Sequence, residues 1–103
     1  MLHVVHHPDY VFPATAPGPW LYDKYGLVML ALAESGVAMT VHSPDIMPRP
    51  WLEAVHDPAY VAEVLTQSVP AHKERRIGFP VTDRGARRAQ LTPGGTWLAA
   101  RLA

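Results

Sequence analysis

A chain of 103 residues sits near the lower edge of a single domain, and folding alone it would bury only about two-thirds of its unfolded surface. Hydrophobic residues make up 49% and charged residues 17%, which excludes a disordered chain and predicts apolar surface left exposed, as on a segment cut from a larger core. Nine basic residues against nine acidic ones give formal neutrality, so no global field draws the chain to nucleic acid or an anionic membrane.

Cysteine is absent, which excludes disulfides and thiolate metal ligands and fits a reducing compartment. Met1-Leu2-His3-Val4-Val5-His6-His7 lacks the basic start and sustained apolar run of a secretory signal. The longest apolar stretch, Gly26 to Ala33, is far short of the roughly 20 residues of a membrane-spanning helix. The expectation is a soluble, cytoplasmic protein without nucleic-acid or membrane partners.

Leu2-His3-Val4-Val5-His6 is short and β-branched and is ended by Pro8-Asp9, which predicts a first strand. A loop follows through Pro13, Pro17, Gly18 and Pro19. From Trp20 the apolar positions Leu21, Tyr25, Val28, Met29 and Leu32 fall on one helical face, and Gly36 supplies the stop. Ala38-Met39-Thr40-Val41-His42 is the second strand, closed by Ser43-Pro44. Strand, helix and strand make one βαβ unit with parallel strands, and two parallel strands alone do not make a stable sheet.

Pro50 opens a short helix over Trp51–Val55, and Asp57-Pro58 caps and starts another over 59–65, with Val61, Val64 and Leu65 on one face. Residues 66–80 read as a polar loop. Thr82 caps a helix over roughly 83–91, and Thr92-Pro93 repeats the device to open a separate final helix. Gly94-Gly95 costs that helix about 1 kcal/mol per glycine relative to alanine, so another backbone is expected to pack closely there. No neighbour for that packing is evident within the chain.

Several residues invite a chemical reading. His3, His6 and His7 form the obvious metal-ligating cluster, yet on a strand His3 and His7 share one face and His6 the other. His42 and Asp45 lie at the carboxyl end of the second strand, where open α/β sheets build sites, but without a third ligand or a nucleophile they read as a turn with Asp45 bonding local amides. His56-Asp57 is acid–base in type, with Asp57 already occupied as a cap. Lys73, Arg75, Arg76, Arg84, Arg87, Arg88 and Arg101 form a basic cluster without interleaved aromatics, which reads as a solvated helix face. Ser35, Ser43 and Ser68 lack a nucleophile-elbow context, and Gly94-Gly95 lacks the phosphate-loop pattern.

The order of signals resembles one family. Tyr10 after His7-Pro8-Asp9, Asp23-Lys24-Tyr25, the run Trp51-Leu52-Glu53-Ala54-Val55-His56-Asp57-Pro58-Ala59-Tyr60-Val61, Arg75-Arg76-Ile77-Gly78-Phe79-Pro80-Val81-Thr82 and Gly94-Gly95-Thr96 look like the amino-terminal third of the histone deacetylase-like zinc-dependent amidohydrolases, closest to the bacterial, class-IV-like branch. The resemblance implies an α/β fold, the amino-terminal part of an arginase/deacetylase-type open parallel sheet with flanking helices. It also implies hydrolysis of acyl-amide bonds such as acetyl-lysine, with zinc held by an Asp-x-His pair and a second Asp and assisted by a histidine pair and a tyrosine.

In that family the Gly-Gly-Thr helix precedes the Gly-Gly-x-His-His segment, so the catalytic and zinc-binding groups are expected beyond residue 103. Residues 1–103 would form a truncated amino-terminal portion, inactive alone, whose partner is the missing carboxyl-terminal part of the domain. No residue of this chain is assigned a catalytic, cofactor-binding or metal role, and His6-His7 is not the family's pair. The family's His-Arg-Phe-Pro-Met-like stretch is replaced by Pro17-Gly18-Pro19-Trp20-Leu21-Tyr22. The alternatives are a non-catalytic α/β interaction module or half of a split enzyme.

Overall fold

The computed structural model describes residues 1–11 and 23–103. Strands β1 (Leu2–Val5) and β2 (Met39–His42) pair in parallel, Leu2 opposite Met39 and Val5 opposite His42. Helix α1 (Lys24–Ser35) connects them, so the expected βαβ unit is present and the class is α/β, mostly helical. Gly36 ends α1 at φ 74°, a left-handed conformation that glycine adopts without the steric cost of a β-carbon. The expected start of this helix near Trp20 and the Pro17–Tyr22 loop lie outside the described residues.

Four more helices follow. Helix α2 (Arg49–Val55) begins one turn position before Pro50, and α3 (Pro58–Leu65) is capped by Asp57, whose Oδ1 accepts from the Ala59 amide at 2.8 Å. Residues 66–80 are not all loop, because Ala71–Ile77 forms α4. Its polar residues are good helix formers, with Glu74 in the first turn and Arg75 and Arg76 in the last, where each charge complements the helix dipole. Glu74 also accepts from the Val81 amide, and Lys73 pairs with Glu63 of α3, which ties the helix down.

The two terminal helices expected around Pro93 are one helix, α5 (Asp83–Leu102), which starts at Thr82 with its hydroxyl accepting from the Gly85 amide at 3.2 Å. A proline inside a helix loses one hydrogen bond and crowds the preceding turn, at a cost of about 3 kcal/mol. Long-range partners hold the turn before Pro93 in place. The Gln90 carbonyl accepts from the Met47 amide at 2.9 Å, and the Leu91 carbonyl accepts from the Tyr10 hydroxyl at 3.3 Å. Tertiary contact therefore carries the helix through a position that local preference would break.

Helix α5, about 30 Å long at the usual rise, is the spine of the molecule. It packs on β1, on the 3-10 turn at Pro8–Tyr10 and on α3, while α2 leans on α3. Among the described residues the buried apolar ones are few: Tyr10, Val61, Val69, Ala86 and Leu91. No residue of α1 is buried, although Tyr25, Met29 and Leu32 of its expected face are half-covered. Leu30, Trp51, Val55 and Trp97 are each more than half exposed.

The shape agrees with this thin core. The Cα radius of gyration is 15.2 Å, against about 13 Å for a compact domain of this length, and the shortest dimension is 17 Å. Among the described residues both outer edges of the two-stranded sheet carry no further strand. No helix among them is long and apolar enough to cross a membrane.

Candidate functional site

The carboxyl end of β1, at the kind of place where open α/β sheets put their chemistry, leads into a polar constellation around residues 6–10. The ladder's last bond runs from the His6 amide to the His42 carbonyl at 3.0 Å. His7 then caps the 3-10 turn, its Nδ1 accepting from the Asp9 amide at 3.0 Å, and Pro8 follows in the first turn. This tight turn drives Tyr10 inward onto α5.

Tyr10 is held from four sides. Its hydroxyl donates to the Leu91 carbonyl, its own carbonyl accepts from Arg88 Nε at 2.9 Å, His6 meets its ring edge-on at 5.7 Å, and Tyr25 of α1 does the same at 5.7 Å. Burial, and secondarily Tyr25, raises the Tyr10 phenol above its ordinary value, so it stays protonated as a donor. Arg88 also lies over the Tyr25 ring at 5.7 Å, which couples α1 to the spine.

Asp9 faces outward to α5. Arg87 Nε donates to its Oδ2 at 2.9 Å, and Arg84 Nη2 sits 4.0 Å from Oδ1 while donating to the Pro8 carbonyl at 3.2 Å. The Arg87 hydrogen bond holds the Asp9 carboxyl below the usual carboxylate range, against a smaller opposing effect of burial. His6 is also lowered, by burial first and by neighbouring His7 second. The basic cluster is thus only partly a solvated face: Arg84, Arg87 and Arg88 anchor residues 8–10, whereas Arg75, Arg76 and Arg101 are exposed.

The other candidates disperse. His3, His6 and His7 go to three different partners: His3 Nδ1 lies 3.0 Å from His42 Nε2, His6 packs on Tyr10, and His7 caps the turn. Asp45 contributes its main-chain carbonyl to the approach of α5 rather than the side-chain turn expected of it. His56 ends α2 and Asp57 caps α3. Among the described residues no group of three histidines or carboxylates converges as a zinc site requires. An apolar cleft of about 260 Å³ lies between α2, α3 and α5, bounded by Leu52, Tyr60, Val64, Ile77 and Phe79, with His56 at its edge.

The sequence signal that explains the site is Gly94-Gly95, and its neighbours lie within the chain after all. A β-carbon on residue 94 would stand 2.0 Å from the Asp45 carbonyl oxygen, and one on residue 95 would stand 1.8 Å from the Tyr10 hydroxyl. Both contacts join residues far apart in sequence, which is why no local pattern could reveal them. The arrangement positions strands, turn and spine, and it supplies a phenol whose ionisation, and an imidazole whose protonation, burial disfavours.

No family model matches the chain. Over 102 residues it is 37% identical to an uncharacterized protein of Picosynechococcus sp., a match that takes in 97% of this chain and 34% of that protein. The chain therefore spans about a third of the length of this relative.

Proposed function

We propose that this chain forms the amino-terminal part of a histone deacetylase-like, zinc-dependent hydrolase of acyl-amide bonds of the acetyl-lysine type, working in the cytoplasm. The observation that carries the reading is that the residues of the ordered motif series are also the residues of the junction. Tyr10, near its start, fits against Gly95, at its end. The parallel βαβ unit, the exposed apolar residues and a relative about three times as long support it further. Zinc and the general base would be held by sequence outside these 103 residues, because in the family the Gly-Gly-x-His-His segment and the zinc ligands follow the Gly-Gly-Thr helix.

The test uses the relative. A chimera in which this chain replaces the matching segment of the Picosynechococcus protein is assayed on an acetyl-lysine amide with and without a chelator. Zinc-dependent hydrolysis by the relative and by the chimera, with none by the 103-residue chain alone, is the expected result. A relative without amide hydrolysis, or a 103-residue chain active by itself, would overturn the proposal. The exposed apolar faces also fit a non-catalytic docking module, which the same chimera separates by its lack of activity.

A further inference from the structure

We propose that His3 and His42 form a two-imidazole site for a borderline divalent cation, Cu²⁺ in preference to Zn²⁺. The two residues lie on different strands, and the register explains their meeting. His3 pairs with Thr40, so the two-residue period of the strands places His3, Thr40 and His42 on one face of the sheet. His3 Nδ1 then lies 3.0 Å from His42 Nε2, with ring centroids 5.2 Å apart and planes tilted by 36°. The Thr40 hydroxyl on the same face is 2.9 Å from the Met1 sulfur, a soft donor.

The ligand type chooses the ion: Cu²⁺ leads the affinity order of the divalent metals at imidazole nitrogen, and two such nitrogens come within 3.0 Å of each other here. The nitrogens now face one another across a hydrogen bond. Binding rotates each ring so that both lone pairs meet the ion, and the exposure of His3 leaves room for that. The ring that now donates moves its proton to its other nitrogen through solvent, so neither imidazole changes charge. Water completes the coordination.

The experiment titrates the 103-residue chain, its amino terminus acetylated so that the amine, the first amides and His3 do not chelate copper by themselves, with CuCl₂ or ZnCl₂ in a non-coordinating buffer, followed by calorimetry and by the Cu²⁺ paramagnetic resonance spectrum. One Cu²⁺ per chain is expected, bound more tightly than Zn²⁺, with nitrogen hyperfine structure from two imidazoles. His3→Gln and His42→Gln should each weaken binding by more than the ~10-fold that loss of an outer-shell partner costs. The double variant should be little worse than either single one, and His56→Gln should match the wild type. On the unaltered chain, Cu²⁺ should protect His3 and His42, but not His56 or His72, from diethylpyrocarbonate. Wild-type affinity in either His3→Gln or His42→Gln, or protection centred on His6 and His7 instead, would overturn the proposal.

Discussion

The phenol of Tyr10 fills the space that a side chain at residue 95 would need: its oxygen stands 1.8 Å, and its Cζ 3.1 Å, from the position of a β-carbon there. Tyr10 comes from the turn after the first strand and Gly95 from the middle of the last helix. Their fit fixes how the βαβ unit sits on the spine, and it sets a glycine where helix propensity alone would favour alanine.

Gly95→Ala should therefore destabilise the chain despite a gain of about 1 kcal/mol in helix propensity. The overpacking cost of about 1–3 kcal/mol, more if Tyr10 must leave its site, is the larger effect. Removing the hydroxyl relieves the nearest clash, although Cζ stays close. Tyr10→Phe alone should cost about 1 kcal/mol, because the bond to the Leu91 carbonyl is lost. Urea denaturation should then find the double variant more stable than Gly95→Ala alone. A double variant no better than the sum of its parts would place the clash elsewhere.

Gly94→Ala should behave differently, because its neighbour is the backbone carbonyl of Asp45 at 2.0 Å and no side-chain truncation can relieve that contact. The Met47 amide, bonded to the Gln90 carbonyl at 2.9 Å, holds the same loop against α5. The expected loss exceeds that of Gly95→Ala, and no single substitution in residues 43–48 should restore it. Amide exchange at Met47 provides the check: protection there should fall in Gly94→Ala and stay largely unchanged in Gly95→Ala.

The parts of the fold legible in the sequence were those set by short-range chemistry. Asp57-Pro58, Thr82 and Gly36 mark helix ends through caps and a left-handed glycine, and each stands where local rules put it. Residues 71–77 look like loop by polarity alone and are helix, because Lys73, Glu74, Arg75 and Arg76 are polar and good helix formers at once. Pro93 looks like a helix start because the contacts that hold the helix there, Met47 to Gln90 and Tyr10 to Leu91, span 43 and 81 residues. The site followed the same division. The glycine pair announced a close approach, but a spacing of 85 residues between Tyr10 and Gly95 carries no periodic signal, and neither does the spacing between His3 and His42.

Acid should weaken the junction in two stages. His6 is held below its ordinary value in the folded chain, so as pH falls below about 6.5 the unfolded state takes up a proton first and stability declines until the folded value is passed. Asp9 is depressed too, so its contribution is present above its unfolded value of about 4 and is lost as pH falls through the folded one. Urea midpoints between pH 7 and 3 should fall in both ranges. His6→Gln should flatten the upper range and Asp9→Asn the lower, and added salt should flatten mainly the lower, because the Asp9–Arg87 pair is exposed. Stability that rises on acidification through either range would contradict this assignment.

Val41 separates a free-standing module from part of a larger domain. It lies in β2 on the face opposite His42, and it is 49% exposed, beside Leu2 at 43%. In the 103-residue chain Val41→Lys gives up little burial, and its long stem can reach water, so the expected change is about 1 kcal/mol or less. A sheet within a complete parallel α/β domain is covered on both faces, and an ammonium placed there without a partner costs several kcal/mol. The same substitution in the chimera with the Picosynechococcus relative should therefore lower the midpoint of urea unfolding well beyond its effect in the chain alone. Equal small effects in both proteins would mean that this sheet face stays in water in the longer protein, and the larger-domain reading would lose its packing argument.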